Sequence, residues 1–456
     1  MTDLQTAAVA DTVLPADLVL RAHRTWVDGA FRPAAVVVRD GRVASVEPID
    51  ADVLADRDET VPDAHVLLPG LVDTHVHVNE PGRTEWEGFA SATRAAALGG
   101  VTTIIDMPLN SIPATVDVPA LQVKRASATG RVAVDVGFWG GAVPDNAGAL
   151  ADLHAAGVFG FKCFTAPSGV DEFPHLDPTQ LRAAIAEVAA LDALLIVHAE
   201  DPDHLVDHDA LGVRYQDFLD TRPVQAERSA IARVIDGARE TGARVHVLHL
   251  SDAGALPMIR AAKDDGVRLT VETCPHYLAF ESGSIPDGAT AYKCCPPIRE
   301  ASNRELLWKG LEEGTIDCIV SDHSPSTLDL KDLENGDFAV AWGGVSSLQL
   351  GLSLIWTEAR HRGIPLEKVI SWMSTRPAEI ARVPNKGLIA VGYDADFSIF
   401  AADDAFVVDV QRLKHKNPIT PYDGRALSGV VRKTFLRGQV ADGTQPIGKL
   451  IRRGGI

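Results

Sequence analysis

Gly70-Leu71-Val72-Asp73-Thr74-His75-Val76-His77 is an apolar, β-like run that ends in two imidazoles, and that ending sets the reading of the chain. Once, such an ending would mean little. Here it recurs: Lys162 ends Val158-Phe159-Gly160-Phe161, His198 ends Leu194-Leu195-Ile196-Val197, His249 ends Val245-His246-Val247-Leu248, and Asp322 follows Cys318-Ile319-Val320-Ser321. Between these runs lie Ala-rich stretches of helical texture, at 89–98, 178–191 and 226–241 among others. Strands alternating with helices over ~250–300 residues predict a parallel sheet sheathed by helices, and the α/β class (β/α)8 TIM-type barrel is the solution of that size. In such a barrel the C-terminal strand ends converge on one face, so these six side chains from five strands are expected to meet there.

The barrel is expected over residues 69–385. On its N-terminal side, Leu18-Val19-Leu20, Ala35-Val36-Val37-Val38 and Arg42-Val43-Ala44-Ser45-Val46 read as short strands. Asp40-Gly41 between two of them is a hairpin signal, since both residue types accept the positive φ of a tight turn. The same texture returns at 395–400 and 430–438. One small β-sandwich domain built from both termini, residues 1–68 and 386–456, is therefore expected, with 446–456 as an exposed tail. A doubly wound open sheet is the rival, but no G-x-G-x-x-G follows a strand.

With 456 residues, the chain exceeds what one core usually serves. Lys plus Arg number 43 against 62 Asp plus Glu, a formal charge of −19. A surface that negative repels phosphate backbones and anionic lipid, so neither nucleic acid nor a membrane is expected as a partner. A small-molecule substrate stays open, because a local metal charge dominates its own pocket. The five cysteines (Cys163, Cys274, Cys294, Cys295 and Cys318) are odd in number and contain no C-x-x-C pair, which points away from a disulfide framework and towards the cytoplasm. The start, MTDLQTAAVADTVLP, lacks a basic segment followed by a long apolar core, so no secretory leader is expected. No run approaches the ~18 apolar residues of a membrane span.

His75 and His77, spaced i, i+2, share one face of a strand. Alone, H-x-H is a weak motif; it gains weight from the other strand-end residues. His246 and His249 are three apart, so alternation puts only one at the barrel mouth. His249 is the better candidate, and His246 is expected to pack against the outer helices. Lys162 is an odd companion for cations, because an ammonium repels them. Desolvation and nearby cations depress a lysine pKa from ~10.4, and the free amine can take up CO2 as an anionic carbamate, whereas an ordinary ion-paired lysine is the plain alternative.

Val72-Asp73-Thr74-His75-Val76-His77 with Glu80-Pro81-Gly82 resembles the opening of the cyclic amidohydrolases, which comprise allantoinases, hydantoinases or dihydropyrimidinases, and dihydroorotases. Gly160-Phe161-Lys162 is similar to that family's carboxylated-lysine strand. His198-Ala199-Glu200, His249-Leu250-Ser251 and Ser321-Asp322-His323-Ser324-Pro325 resemble its later metal and base motifs. The likeness runs in order over the whole barrel, and the flanking β segments fit the family's composite sandwich. It implies two divalent ions: one held by His75, His77 and Asp322, the other by His198 and His249, with N6-carboxylated Lys162 bridging them. It also implies that Asp322 is the catalytic acid–base. Zinc suits this ligand set best, with cobalt, manganese or iron as alternatives. Relatives are commonly tetramers or dimers, so a homo-oligomer, a tetramer first, is expected by analogy.

Dihydroorotases carry an arginine two residues after H-x-H, where this chain has Asn79. The segments 81–89, Met107-Pro108-Leu109-Asn110, Phe161-Lys162-Cys163-Phe164 and Ala341-Trp342-Gly343-Gly344 resemble the allantoinase versions. The resemblance therefore implies hydrolytic opening of allantoin to allantoate. A neutral substrate rich in N–H and C=O needs paired donors and acceptors. Asn110, the backbone of Cys294 to Pro297, and the loop with Gly343 and Gly344 are the candidates. His276 and His323 are read as structural residues beside the site, and alternation turns Cys163 to the outer face. The competing readings are a hydantoinase or dihydropyrimidinase and, in another class, a non-catalytic scaffold of the same fold that has lost its metal ligands.

Overall fold

The computed structural model describes residues 15–206 and 210–455. The reading of the N-terminal segment as leaderless falls almost entirely outside them. Strands Leu71–Val76, Val101–Asp106, Asp135–Phe138, Phe161–Phe164, Leu194–His198, Arg244–Val247, Leu269–Thr273 and Cys318–Ile319 alternate with helices through the middle of the chain. All pair in parallel with their neighbours. The third strand passes through Trp139 into Gly140–Gly141, which pairs with Phe161–Phe164. Val76 pairs in parallel with His323, and the His77 amide donates to the His323 carbonyl at 2.8 Å, so the first strand meets the end of the last.

Local sequence chemistry explains the elements. Helix Pro178–Ala190 starts where the Asp177 carboxylate accepts from the Thr179 and Gln180 amides while Gln180 reaches back, with Pro178 at the first position. Helix Val224–Thr241 ends at Gly242, whose φ of 71° is left-handed. Phe161 and Cys163 sit in the large cluster that the outer helices cover, whereas Phe159 and Phe164 belong to the inner one. Two-residue alternation therefore aims Lys162 inward.

The second layer is an eight-stranded mixed sheet drawn from both ends of the chain. Leu18–Val27 and Ala30–Arg39 are antiparallel, and Val66–Pro69 pairs with Phe397–Val407. Asp40 (φ 50°) and Gly41 (φ 73°) make the anticipated tight turn. Leu18, Leu20, Val36 and Val38 pack with Phe397, Ile399 and Phe435 in one cluster, while Val19, Ala35 and Val37 form another on the opposite face. The architecture is a TIM-type barrel with a small β-sandwich.

One expectation fails. The segment from 446 is not an exposed extension: Leu450 bridges to Val136, the Gly448 amide donates to Val132, and Ile451 is buried. Its apolar residues, Ile447, Leu450 and Ile451, continue the barrel's own clusters, and burying them outweighs the tail's polarity.

Candidate metal centre and substrate cavity

His75, His77, Lys162, His198, His249 and Asp322 all line one cavity of about 460 Å³. His75, His77 and Asp322 present ligand atoms within 4.8 Å of one another, and all three residues are buried. Glu272 Oε1 accepts from His75 Nδ1 at 2.5 Å, which leaves Nε2 bearing the lone pair. That Nε2 is buried, makes no hydrogen bond, and lies 3.1 Å from Asp322 Oδ1. An imidazole nitrogen and a carboxylate oxygen that converge in a buried pocket are what a cation between them would require.

The second pair is built the same way. His198 Nδ1 and His249 Nε2 are 3.0 Å apart. Glu200 Oε2 accepts from His198 Nε2 at 2.7 Å and is itself held by Arg222 at 2.5 Å, so Nδ1 is the free ring nitrogen. His249 reaches its place through a backbone φ of 35°, and Asp322 through 43°. Left-handed backbone in non-glycine residues costs roughly 1–3 kcal/mol and clusters where side chains must be aimed at a site.

Electrostatics separates these groups. Burial pushes the Lys162 ammonium down to about 8, against the pull of Asp322 and Glu272, so a share of neutral amine is present near physiological pH. His77 and His249 are driven well below the ordinary imidazole range, first by burial and then by Lys162 and His198 respectively. His198 falls too, chiefly by burial. Burial also opposes charge on His75, but Asp322 and Glu272 override it and raise the pKa to about 9. Asp322, despite burial, is held far below the carboxylate range by His75, His249 and His77. The site thus offers three imidazoles held neutral, His77, His198 and His249, and one firmly ionised carboxylate, and a cation can take the place of the His75 proton. These donors fit divalent metal.

Four of the five anticipated substrate-facing residues, Asn110, Cys294, Gly343 and Gly344, line the same cavity. Asn110 Nδ2 lies 3.5 Å from His77 Nδ1. Pro297 is absent from the lining; its carbonyl accepts from Ser251 Oγ at 2.6 Å, so it serves the loop and not the cavity. The Gly343–Gly344 wall is fixed by two lysines that the sequence did not single out. Lys293 Nζ donates to the Ala339 and Ala341 carbonyls at 3.1 and 2.6 Å, and Lys331 Nζ to those of Trp342 and Gly344 at 2.9 and 2.5 Å.

His246 corrects another expectation. Instead of packing against outer helices, it points into the barrel, where Nε2 meets Glu272 Oε2 at 3.0 Å and Nδ1 meets Thr270 Oγ1 at 2.8 Å. Alternation holds as far as Val247, and Val245 and Val247 take the outer face. The left-handed turn at His249 then brings its ring back to the side His246 already occupies. Glu272 is the functional residue that sequence reasoning missed. It is buried, holds His75 by one oxygen and His246 by the other, and accepts from the His249 amide at 3.2 Å. The available signal was an acid inside the apolar strand Leu269–Thr273, facing the same way as Thr270. Ser324 was also missed; it lines the cavity and donates to Asp322 Oδ1 at 3.0 Å. His323 is structural as expected, since its Nδ1 accepts from the Ser347 amide and its Nε2 faces Glu87. His276 is buried and outside the cavity lining, and among the described residues neither ring nitrogen has a hydrogen-bond partner.

Residues 66–441 match the amidohydrolase family model. The chain is 57% identical to an allantoinase of Streptomyces avermitilis over 443 residues, covering 96% of this chain and 99% of that protein. It is 46% identical to an allantoinase of Arabidopsis thaliana, covering 83% and 78% respectively. Among solved structures, an L-hydantoinase (dihydropyrimidinase) from Arthrobacter aurescens superposes with a TM-score of 0.89 at 30% identity, over 96% of this chain and 100% of that one. The barrel, its strand-end ligand set and this full-length kinship agree: the chain belongs to the amidohydrolase family, among its allantoinase relatives.

Proposed function

We propose that the protein is an allantoinase, which adds water across the ring amide of allantoin to give allantoate. The observation that carries this reading is a complete strand-end ligand set in one cavity, on a chain 57% identical to an allantoinase over nearly its whole length. Residues 69–385 would be the hydrolase unit, with the sandwich drawn from the described residues before 69 and from 386 to 445, and the tail from 446 docked on the barrel. His75, His77 and Asp322 would hold one divalent ion, His198 and His249 a second, with zinc favoured over cobalt, manganese or iron. When bound, such a pair supplies acidified water and polarises a carbonyl.

The chain's own groups do the rest. Lys162, neutral in part and buried, forms an N–C bond to CO2 and releases a proton; the resulting carbamate offers two anionic oxygens where the ammonium would repel cations. Asp322, ionised, takes the proton of the attacking water and returns it to the ring nitrogen as the C–N bond breaks, while the carbonyl carbon becomes the new carboxylate. Ser324 keeps the Asp322 carboxylate oriented. Asn110, the Cys294 backbone and the Gly343–Gly344 wall would pair with the substrate's N–H and C=O groups.

A homo-oligomer, a tetramer first, and a cytoplasmic location complete the proposal. The location is supported by five unpaired cysteines, and no described helix is long and apolar enough to cross a membrane. The decisive experiment offers the purified metal-loaded enzyme allantoin, hydantoin, dihydrouracil and dihydroorotate in parallel. Allantoin should open fastest. Opening of hydantoin without allantoin would replace this reading with a hydantoinase, and less than one metal ion per chain by elemental analysis, even after growth with added zinc and bicarbonate, would favour a scaffold.

A further inference from the structure

The barrel has a second cavity, of about 260 Å³, at the end opposite the metal centre. Arg244, the first residue of its strand, contributes one wall, and Arg382, just past helix Arg376–Ala381, another. Arg453 of the docked tail closes a third. Asp192 is the one carboxylate in the lining, and it is already spanned by Arg268 and Arg382, each at 2.8 Å.

The other two guanidiniums have only carbonyl partners. Arg244 Nη2 donates to Ile380 O at 2.7 Å, and Arg453 Nη2 to His154 O at 2.7 Å. Among the described residues, neither forms an ion pair with a carboxylate, and Arg453 Nε is buried with no partner at all. His154 supplies no negative charge, and burial together with Arg453 holds its pKa below the ordinary value. Burial, followed by the repulsion of Arg382, also pulls Arg244 down to about 10. Partly desolvated cations normally recruit counter-charge, because a charge taken from water without a partner is unfavourable. Here the cations gather in a concavity on a chain whose formal charge is −19, against the general trend of the surface.

We propose that this cavity binds a small divalent oxyanion of the phosphate or sulfate type, gripped by the unpaired N–H groups of Arg244 and Arg453, with Arg382 at its rim. The planar guanidinium fork matches tetrahedral oxyanions. Such a ligand would tie the tail to the start of the Arg244–Val247 strand and to the end of helix Arg376–Ala381. It would bind without competing for the catalytic mouth.

Sulfate is the probe. It is titrated calorimetrically into the metal-loaded enzyme at fixed ionic strength, with chloride as the balancing anion. One saturable site per chain is expected, with affinity weakened about tenfold in both Arg244→Gln and Arg453→Gln. Turnover at saturating allantoin should stay unchanged in both. Arg382→Gln, at a half-exposed position, guards against misfolding of the inner variants: sulfate should raise the thermal midpoint of the native enzyme over chloride, and less so here. The absence of a saturable site, equal sulfate affinity in all variants, or competition of sulfate with substrate would each overturn the proposal. The last would assign the heat to the metal centre.

Discussion

Lys162 at the barrel mouth and Lys386 at the junction of barrel and sheet are both buried, yet their surroundings are opposite. Lys386 Nζ sits among Asp135, Asp394 and Asp396 at 2.6, 2.8 and 2.7 Å. Burial lowers its pKa, but the carboxylates, Asp396 first, lift it above the ordinary value. Lys162 forms no ion pair among the described residues; its Nζ faces the Phe164 ring at 4.9 Å, and its pKa falls to about 8. The three acids around Lys386 have the spacing of a metal site, but the ammonium occupies it. Burial alone therefore says nothing about what a lysine does. Its partners decide: carboxylates lock the charge in place, and their absence frees the amine to react.

The contrast breaks most decisively at Lys162. Lys162→Ala should lower turnover by roughly a thousandfold or more, about 4 kcal/mol of barrier. Elemental analysis should show fewer metal ions per chain, and added short carboxylic acids should restore part of the activity. Full activity in this variant would remove Lys162 from the mechanism and make the two lysines alike.

Lys386→Met is the converse test. It strands three carboxylates beside Arg437, which already holds Asp135 at 2.6 Å, and should cost about 3–5 kcal/mol of folding stability while sparing turnover of the folded fraction. The effect carries a pH signature. A cation whose folded pKa is raised contributes fully below the unfolded value of about 10.4, and its contribution is lost as pH climbs towards the folded value. Denaturant titrations from neutral to alkaline pH should therefore show the native enzyme losing its advantage over Lys386→Met only above that point. A constant gap across the range would mean that Lys386 acts by packing and not by charge.

How much of this was legible beforehand follows the same division. The candidate mouth could be read because its residues end strands, and strand ends leave a trace in the hydrophobic pattern: His75, His77, Lys162, His198, His249 and Asp322 share one cavity. The Lys386 cluster could not, because Asp135 lies 251 residues from Lys386 and its neighbours Asp394 and Asp396 sit in a loop without a period, so that only folding joins them. The docked tail and Pro297 were misread for a related reason, since loops and termini carry no period from which direction can be inferred. His246 was misread because alternation says nothing about a left-handed residue two positions after its strand ends. Glu272 lay between these cases, visible as an odd acid in a strand but without a partner that sequence could name.

Glu272 sharpens the comparison from inside the mouth, since it is a buried carboxylate that serves histidines instead of a lysine. Burial opposes its ionisation, but His75 and His246 hold its pKa down at about 2. Glu272→Gln keeps the shape and removes the charge. Because Glu272 steadies the His75 ring and the His249 amide together, metal affinity should fall about 10–100-fold at both positions at once, a common range for lost supporting partners. Chelator competition reads this directly. Loss confined to one ion would show that the two half-sites are held independently.

The smallest effect lies one residue from the largest. Cys163 adjoins Lys162 but sits in the outer cluster with Phe161, fully buried, its thiol pushed up to about 12 by burial. A protonated, enclosed thiol is neither a nucleophile nor a metal ligand. Cys163→Ala should leave turnover and metal content unchanged, and should cost only about 1 kcal/mol for the small void under the helices. The native protein should likewise leave this thiol unlabelled by aromatic disulfide reagents until it unfolds. If Cys163→Ala instead lost metal as Lys162→Ala does, the strand would have to present both neighbours to the mouth, and the two-residue alternation that aims Lys162 at the cations would be wrong.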